Sequence, residues 1–247
     1  MFHFEDAGQG VTLLRMDDEK VNAIGPEFVQ GFPNALKRAA EEGGALVLTG
    51  NAHAFSAGLD LQTLPGLDLE ELRDFFLGFN ASLEALLAHP EPVVAAVDGP
   101  AMAGGAILAL ASDLRIAGPT ASMGVVEVRV AVPFPPPVLT LVRERLPAHE
   151  QGPAILEGKV RQGDDLVARG WVHERHEAAV ARAVERAGTL AQYDAPTVQA
   201  TKRALNADLV EAVARFGDQV DAYLEHFQAP GALEAIQEGF ARMRKAR

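Results

Sequence analysis

Two glycine-bearing stretches hold the residues best suited to chemistry. They are His53-Ala54-Phe55-Ser56-Ala57-Gly58-Leu59-Asp60-Leu61 and Gly99-Pro100-Ala101-Met102-Ala103-Gly104-Gly105-Ala106-Ile107. In each, glycine beside small residues lets backbone N–H groups approach a ligand closely. The second stretch runs into an apolar helical pattern, which predicts that its glycines form a helix N-terminus. Unpaired N–H groups and the helix dipole favour negative charge at such a place. Two donors of this kind converging on one oxygen make an oxyanion hole. The third feature is Glu127, the only acidic residue between Asp113 and Glu144, within the apolar run Met123-Gly124-Val125-Val126-Glu127-Val128. Desolvation in that setting raises a carboxyl pKa, as suits a base working near neutral pH.

Other chemistries find less support. His53 and Ser56 lie close together, but neither a Gly-x-Ser-x-Gly elbow nor a third triad member accompanies them. His173 and His176 flank Glu174, next to Glu177, yet no further ligand is evident, so a solvated polar turn is expected there and no metal. Gly-x-Gly-x-x-Gly and P-loop patterns are absent. Asp60 suits a turn that it caps itself, and Asp113 with Arg115 suits a structural ion pair. Gly58, Gly104 and Gly105 also suit ordinary turns and helix packing, and Glu127 also suits a strand end facing water.

The elements that must position these residues alternate in the first half. Val11–Met16, Ala45–Gly50, Pro92–Val97, Leu114–Ala117 and Glu127–Val132 are predicted strands, and Glu27–Glu42, Leu69–His89 and Gly104–Ser112 predicted helices. Pro33 falls where the first helix should be establishing its opening turns. Strand and helix in alternation imply an α/β fold with mostly parallel pairing. From about Val138 the pattern is nearly all helical: Val138–Arg145, His149–Glu157, Gly163–Ala168, Glu177–Tyr193, Pro196–Phe227 and Pro230–Arg247. The run Pro133-Phe134-Pro135-Pro136-Pro137 is expected to be neither regular helix nor central strand.

With 247 residues and 48% apolar content the chain can bury a full-sized core. A formal net charge of −12 argues against nonspecific nucleic-acid or membrane binding, both of which need a basic surface. No apolar run approaches the roughly 20 residues of a membrane span, and Met1–Asp6 lacks the basic start and apolar stretch of a signal peptide. The absence of cysteine excludes disulfides and thiolate chemistry and fits a cytoplasmic location.

These residues resemble the crotonase family, also called the enoyl-CoA hydratase/isomerase superfamily. Val21-Asn22-Ala23 resembles its early Asn-Ala element and Phe55–Leu61 its first oxyanion segment. Val97-Asp98-Gly99-Pro100-Ala101 through Gly104-Gly105, then Ser112–Ala117, resembles the second, and Ala195-Pro196 with Lys202 a late helix start. The resemblance implies a spiral of ββα units spanning residues 1–190 and a helical C-terminal trimerisation region over 191–247, assembled as a homotrimer or dimer of trimers. It implies an acyl-CoA substrate and no separate cofactor, coenzyme A being part of that substrate. The thioester oxygen would lie between the N–H groups of Leu59 and Gly104. Ala23, Ala57, Gly58, Asp60 and Leu61 would line the coenzyme side, with Lys20, Lys202 and Arg203 as candidates for its phosphates.

Family hydratases place a glutamate three residues after the second oxyanion glycine, where this chain has Ile107. A second glutamate follows later, where this chain has Glu127. One base without a water-orienting partner resembles the Δ3,Δ2-enoyl-CoA isomerase branch, as does Val132-Pro133-Phe134, where hydratases carry glycines. That implies proton removal at C2 and return at C4 by Glu127, with Ile107 and Phe134 beside the acyl group. Two alternatives stay open: a hydratase or other thioester lyase or hydrolase using one glutamate, and a noncatalytic acyl-CoA binder.

Overall fold

The computed structural model describes residues 1–60 and 62–245. Its first half runs β1 (Phe2–Asp6), β2 (Val11–Met16), β3 (Ala23–Ile24), α1 (Pro26–Glu42), β4 (Ala45–Thr49), β5 (Gly58–Leu59) and α2 (Leu69–Leu87). It continues through β6 (Val93–Val97), β7 (Pro100–Met102), α3 (Gly104–Ala111), β8 (Leu114–Ala117) and β9 (Ser122–Gly124). The second half holds α4 (Pro136–Arg145), α5 (Ala148–Ile155), β10 (Arg161–Gln162), α6 (Asp165–Ala168), β11 (Glu174–Arg175) and α7 (Ala179–Ala191). Four further helices follow: α8 (Ala195–Leu205), α9 (Ala207–Ala214), α10 (Val220–Gln228) and α11 (Ala232–Lys245).

The main sheet has the order β1-β2-β4-β6-β8-β11. It is parallel from β2 to β11, and only β1 joins antiparallel, as a hairpin with β2. Parallel sheets need both faces covered, and the period-two alternation of the strands divides the cover. Leu14, Leu46, Leu48, Val93, Ala95 and Val97 share one core with Phe28 and Phe32 of α1, Phe75, Phe79 and Leu83 of α2, and the apolar face of α3. Val11, Leu13, Val47, Val94, Ala96 and Ile116 belong to the other, beneath Ala179, Ala183 and Ala187 of α7. Helix α2 is held at its start by a capping box, with Asp68 accepting from Glu71 N–H and Glu71 from Asp68 N–H, both at 2.9 Å.

A second, smaller sheet lies at the C-terminal ends of β4 and β6. Its order is β10-β9-β7, with β3-β5 as a separate parallel pair. Backbone bonds stitch the two together: Phe55 and Ser56 N–H to Pro100 O (3.0 and 3.2 Å), and Met102 N–H to Ser56 O (2.9 Å). These strands of two or three residues are too short to show periodicity in a sequence.

Four expectations are corrected. Glu127–Val132 is not a strand: β9 pairs with β7 only as far as Met102↔Gly124, after which β7 turns into α3 and no ladder partner remains. Glu127–Val130 instead forms a 3₁₀ turn. The proline run does enter a helix, because Pro136 and Pro137 occupy the first positions of α4, where no intrahelical N–H bond is required. Residues 196–227 do not form one helix. Asn206 breaks it by turning inward, donating to Leu87 O (2.9 Å) and accepting from Arg145 (2.6 Å). Asp113 and Arg115 do not pair: Asp113 meets Lys202 Nζ at 2.7 Å, while Arg115 donates to Trp171 O at 2.7 Å. Helix α1 also runs on through Pro33, and of the last predicted helix Ala246 and Arg247 lie outside the described residues.

Asn22 ties the small sheet to the large one. It is buried, sits at φ +52°, and donates from Nδ2 to Met16 O (2.9 Å) and Ala54 O (3.1 Å). Asn22→Ala loses these bonds and keeps the left-handed backbone without the residue type that tolerates it. It is expected to destabilise the fold by roughly 2–4 kcal/mol in urea titration; a cost below about 0.5 kcal/mol would refute this role.

Candidate active site

The backbone donors come from two peptide segments pressed together where a side chain would keep them apart. Gly58 has φ +86°, and a Cβ there would lie 2.5 Å from Met102 O and 3.1 Å from Gly104 N. A Cβ on Gly105 would collide with the Ser56 carbonyl. Asp60 N–H donates to Ile24 O at 2.9 Å, so the preceding amide, Leu59, directs its N–H away from β3. Gly104 opens α3, and its N–H therefore has no carbonyl one turn earlier within the helix. Ala103, just before it, adopts φ +47°, a conformation rare for a residue with a Cβ, and its N–H is anchored to Gly124 O at 2.8 Å. Sequence reasoning missed Ala103, whose conformation follows from packing and leaves no local signal.

The Ala103–Gly124 bond also places the carboxylate, since Glu127 follows three residues on. Glu127 is only 4% exposed, and its Oε2 has no hydrogen-bond partner among the described residues. Burial pushes its pKa up to about 8, against a smaller opposing effect of its own backbone N–H. Val132 N–H returns to Glu127 O at 3.1 Å, and Ala131 closes the turn at φ +56°.

The remaining residues fall around this framework. Ile107 is buried on the first turn of α3, and Phe134 is half-buried beside the turn. Ala23 and Ala57 are half-buried on either side of the β3-β5 pair. Leu61 lies outside the described residues. Burial opposes ionisation of Asp60, but hydrogen bonds from the Thr63 hydroxyl (2.6 Å) and the Gln62 N–H outweigh it and keep its pKa low, so it caps its own turn. Ser56 is fully buried, donates to Asn22 O at 2.7 Å and accepts from Gly58 N–H, while His53 is exposed. Ser56 thus shapes the Gly58 turn rather than acting as a nucleophile.

Lys202 is committed elsewhere, bonding Asp113 and the Glu91 carbonyl, each at 2.7 Å, beyond the N-terminal end of β6. It borders a cavity of about 290 Å³ with His89, Arg203 and Asn206, and none of Leu59, Gly104, Ile107, Glu127 and Phe134 lines that cavity. Lys202 is thereby withdrawn as a phosphate ligand. Among the described residues no group of three or more His, Cys, Asp or Glu is placed to hold a metal ion, and no helix is long and apolar enough to cross a membrane.

A parallel sheet with a small second sheet, two close-packed amide segments and a buried carboxylate define an α/β enzyme class. Residues 6–246 match the family model described as Enoyl-CoA hydratase/isomerase, and the chain belongs to that family. A Thermus thermophilus protein provisionally named an enoyl-CoA hydratase is 32% identical over 218 residues, 86% of this chain and 84% of its own. The crystal structure of a probable enoyl-CoA hydratase from Mycobacterium tuberculosis is 30% identical, covers 92% of this chain and 97% of that one, and has a TM-score of 0.86. An apo structure of that same M. tuberculosis protein, there described as an enoyl-CoA isomerase, is 31% identical, covers 90% and 97%, and has a TM-score of 0.83.

The raised pKa of Glu127 has a thermodynamic consequence. The folded protein keeps a proton there that the unfolded chain releases near its ordinary 4.5. The stability this group allows is intact below that pH and is lost as pH rises through about 8. Glu127→Gln removes the dependence. Denaturation of variant and wild type in parallel is expected to show the variant gaining on the order of 3–4 kcal/mol relative to wild type between about pH 5 and 8. A constant difference would mean that Glu127 is solvated.

Proposed function

We propose that the protein is an acyl-CoA isomerase that moves a double bond from C3 to C2 of an enoyl-CoA. The observation that carries this reading is one buried carboxylate, Glu127, whose Oε2 has no partner among the described residues, in a chain that offers Ile107 where a second acid would be needed to orient water. The thioester oxygen accepts hydrogen bonds from Leu59 N–H and Gly104 N–H. Glu127 removes a proton from C2, and the electron pair left behind delocalises over the C3–C4 double bond and the thioester as a dienolate. The neutral carboxyl then returns the proton at C4, giving the 2-enoyl product. Nothing is consumed and no further cofactor is required, coenzyme A being carried by the substrate.

Ala23, Ala57, Gly58, Asp60 and Leu61 contact the coenzyme portion in this reading, and Ile107 and Phe134 the acyl chain. Exposed Lys20 and Arg203 remain the candidates for its phosphates. Assembly as a homotrimer or dimer of trimers and a cytoplasmic location belong to the same reading. The isomerase name that one structure of the M. tuberculosis relative carries, at 31% identity, supports it. The hydratase name also borne by that same protein, and that of the Thermus thermophilus relative, support hydration through Glu127 alone as the second reading.

Incubation with 3-hexenoyl-CoA and, separately, 2-hexenoyl-CoA distinguishes the two. Isomerisation creates conjugated-thioester absorbance from the first, and hydration removes it from the second. Glu127→Gln is expected to lower the isomerisation rate by about 10²–10⁴. Wild-type kcat/KM should rise with pH, reach half its plateau near pH 8 and level off above it, as the base becomes ionised. Hydration without isomerisation, or an active Gln variant, would overturn the proposal; coenzyme A thioester binding with neither reaction would mark a noncatalytic binder.

A further inference from the structure

The Glu127 turn holds a strained backbone that its own sequence does not explain. Ala131 stands at φ +56°, and such a conformation persists only when surrounding structure enforces it. The enforcement comes from about ninety residues further along the chain. Tyr223 of α10 donates its hydroxyl to Pro133 O at 3.1 Å, and His226, one turn on, meets Ala131 O with Nε2 at 3.1 Å. A carbonyl can only accept, so His226 carries its proton on Nε2. The two bonds thus straddle Val132, whose N–H returns to Glu127.

The helix that supplies these bonds is itself wedged. The Tyr223 ring packs edge-on against Phe76 of α2 at 5.0 Å and lies 5.5 Å from Phe227 and 5.8 Å from Phe216. On the other side α11 lies against the turn at Gly239, where a Cβ would come within 2.6 Å of Val130 Cα. Val130, Val132 and Ile236 form a buried cluster with Phe227, Phe240 and Met243 at its edge. The titratable groups around the turn include Tyr223 and His226 from α10, Arg129 on the turn itself, and the exposed Glu238–Arg242 pair of α11, and Tyr223 is close enough to Glu127 to feel its charge.

We propose that Tyr223 and His226 are positioning residues for the reaction: by gripping the carbonyls of Pro133 and Ala131 they fix the turn that aims Glu127 and seal it from water. This rests on Glu127 being the base. It makes the C-terminal helices part of the active site of their own chain.

The test uses the full-length protein with 3-hexenoyl-CoA. Tyr223→Phe keeps the ring and loses one hydrogen bond, and His226→Ala loses the other. Each is expected to lower kcat about three- to tenfold, the worth of one such bond, with KM within about twofold. The ascending limb of the pH profile should move to lower pH as water reaches Glu127. His226→Gln, which offers an N–H donor of similar reach, is expected to recover most of the loss. Glu238→Gln, an exposed neighbour on α11, is expected to behave as wild type. Placed on a Glu127→Gln background, Tyr223→Phe should cost nothing further, because it acts through that side chain. Wild-type kcat and pH profile for Tyr223→Phe and His226→Ala would overturn the proposal even with Glu127→Gln inactive. So would a further loss on the Gln background, or variants that lose thermal stability alone. An active Glu127→Gln enzyme would instead remove the base on which the proposal rests.

Discussion

A carboxylate withdrawn from water with nothing to pair it is costly, and the fold of this chain is arranged to sustain that cost at Glu127. An ionised group in an apolar setting either finds a partner or gives up its charge. Here Oε2 has no partner among the described residues, and the group holds its proton up to about pH 8. The result is a side chain near neutrality between its two states, able to take a proton and give it back. Stability is sacrificed for that property, because the unfolded chain ionises freely where the folded one does not.

The geometry around the carboxylate follows from a second constraint, the close approach of backbone to backbone. Gly58 and Gly105 let the Ser56–Leu59 and Met102–Gly105 segments touch, and side chains at either place would separate them. The Ala103 N–H bond to Gly124 then carries the strand leading to Glu127 into the same region. The large parallel sheet supplies rigidity, and the two small sheets at its C-terminal ends bring the pieces together. Ligand sites in open α/β sheets occupy that same end.

Much of this was legible in the sequence because the signals are local. Gly104-Gly105 before an apolar run marked a helix start, and the apolar neighbours of Glu127 marked a buried acid. The alternating strands of β2, β4 and β6 set the main sheet. What could not be read depends on contacts distant in the chain. Val126-Glu127-Val128-Arg129-Val130 alternates as a strand does, but the ladder partner ends at Met102. Asn206 reads as an ordinary helix residue until Leu87 and Arg145 are seen beside it, and Lys202 reads as a free cation until Asp113 and Glu91 claim it. The strain at Ala103 and Ala131 is likewise a product of tertiary packing.

Removal and return of a proton at C2 of a bound thioester is the most direct trace of the chemistry assigned to Glu127 and the two amides. Incubation of the protein with a saturated acyl-CoA in deuterium oxide, read by mass spectrometry, isolates that step from any later one. Deuterium should enter at C2 with the wild-type protein, and its entry should fall by about two orders of magnitude or more with Glu127→Gln. Tight binding of the thioester with no deuterium incorporated, or equal incorporation by the Gln variant, would contradict the assignment.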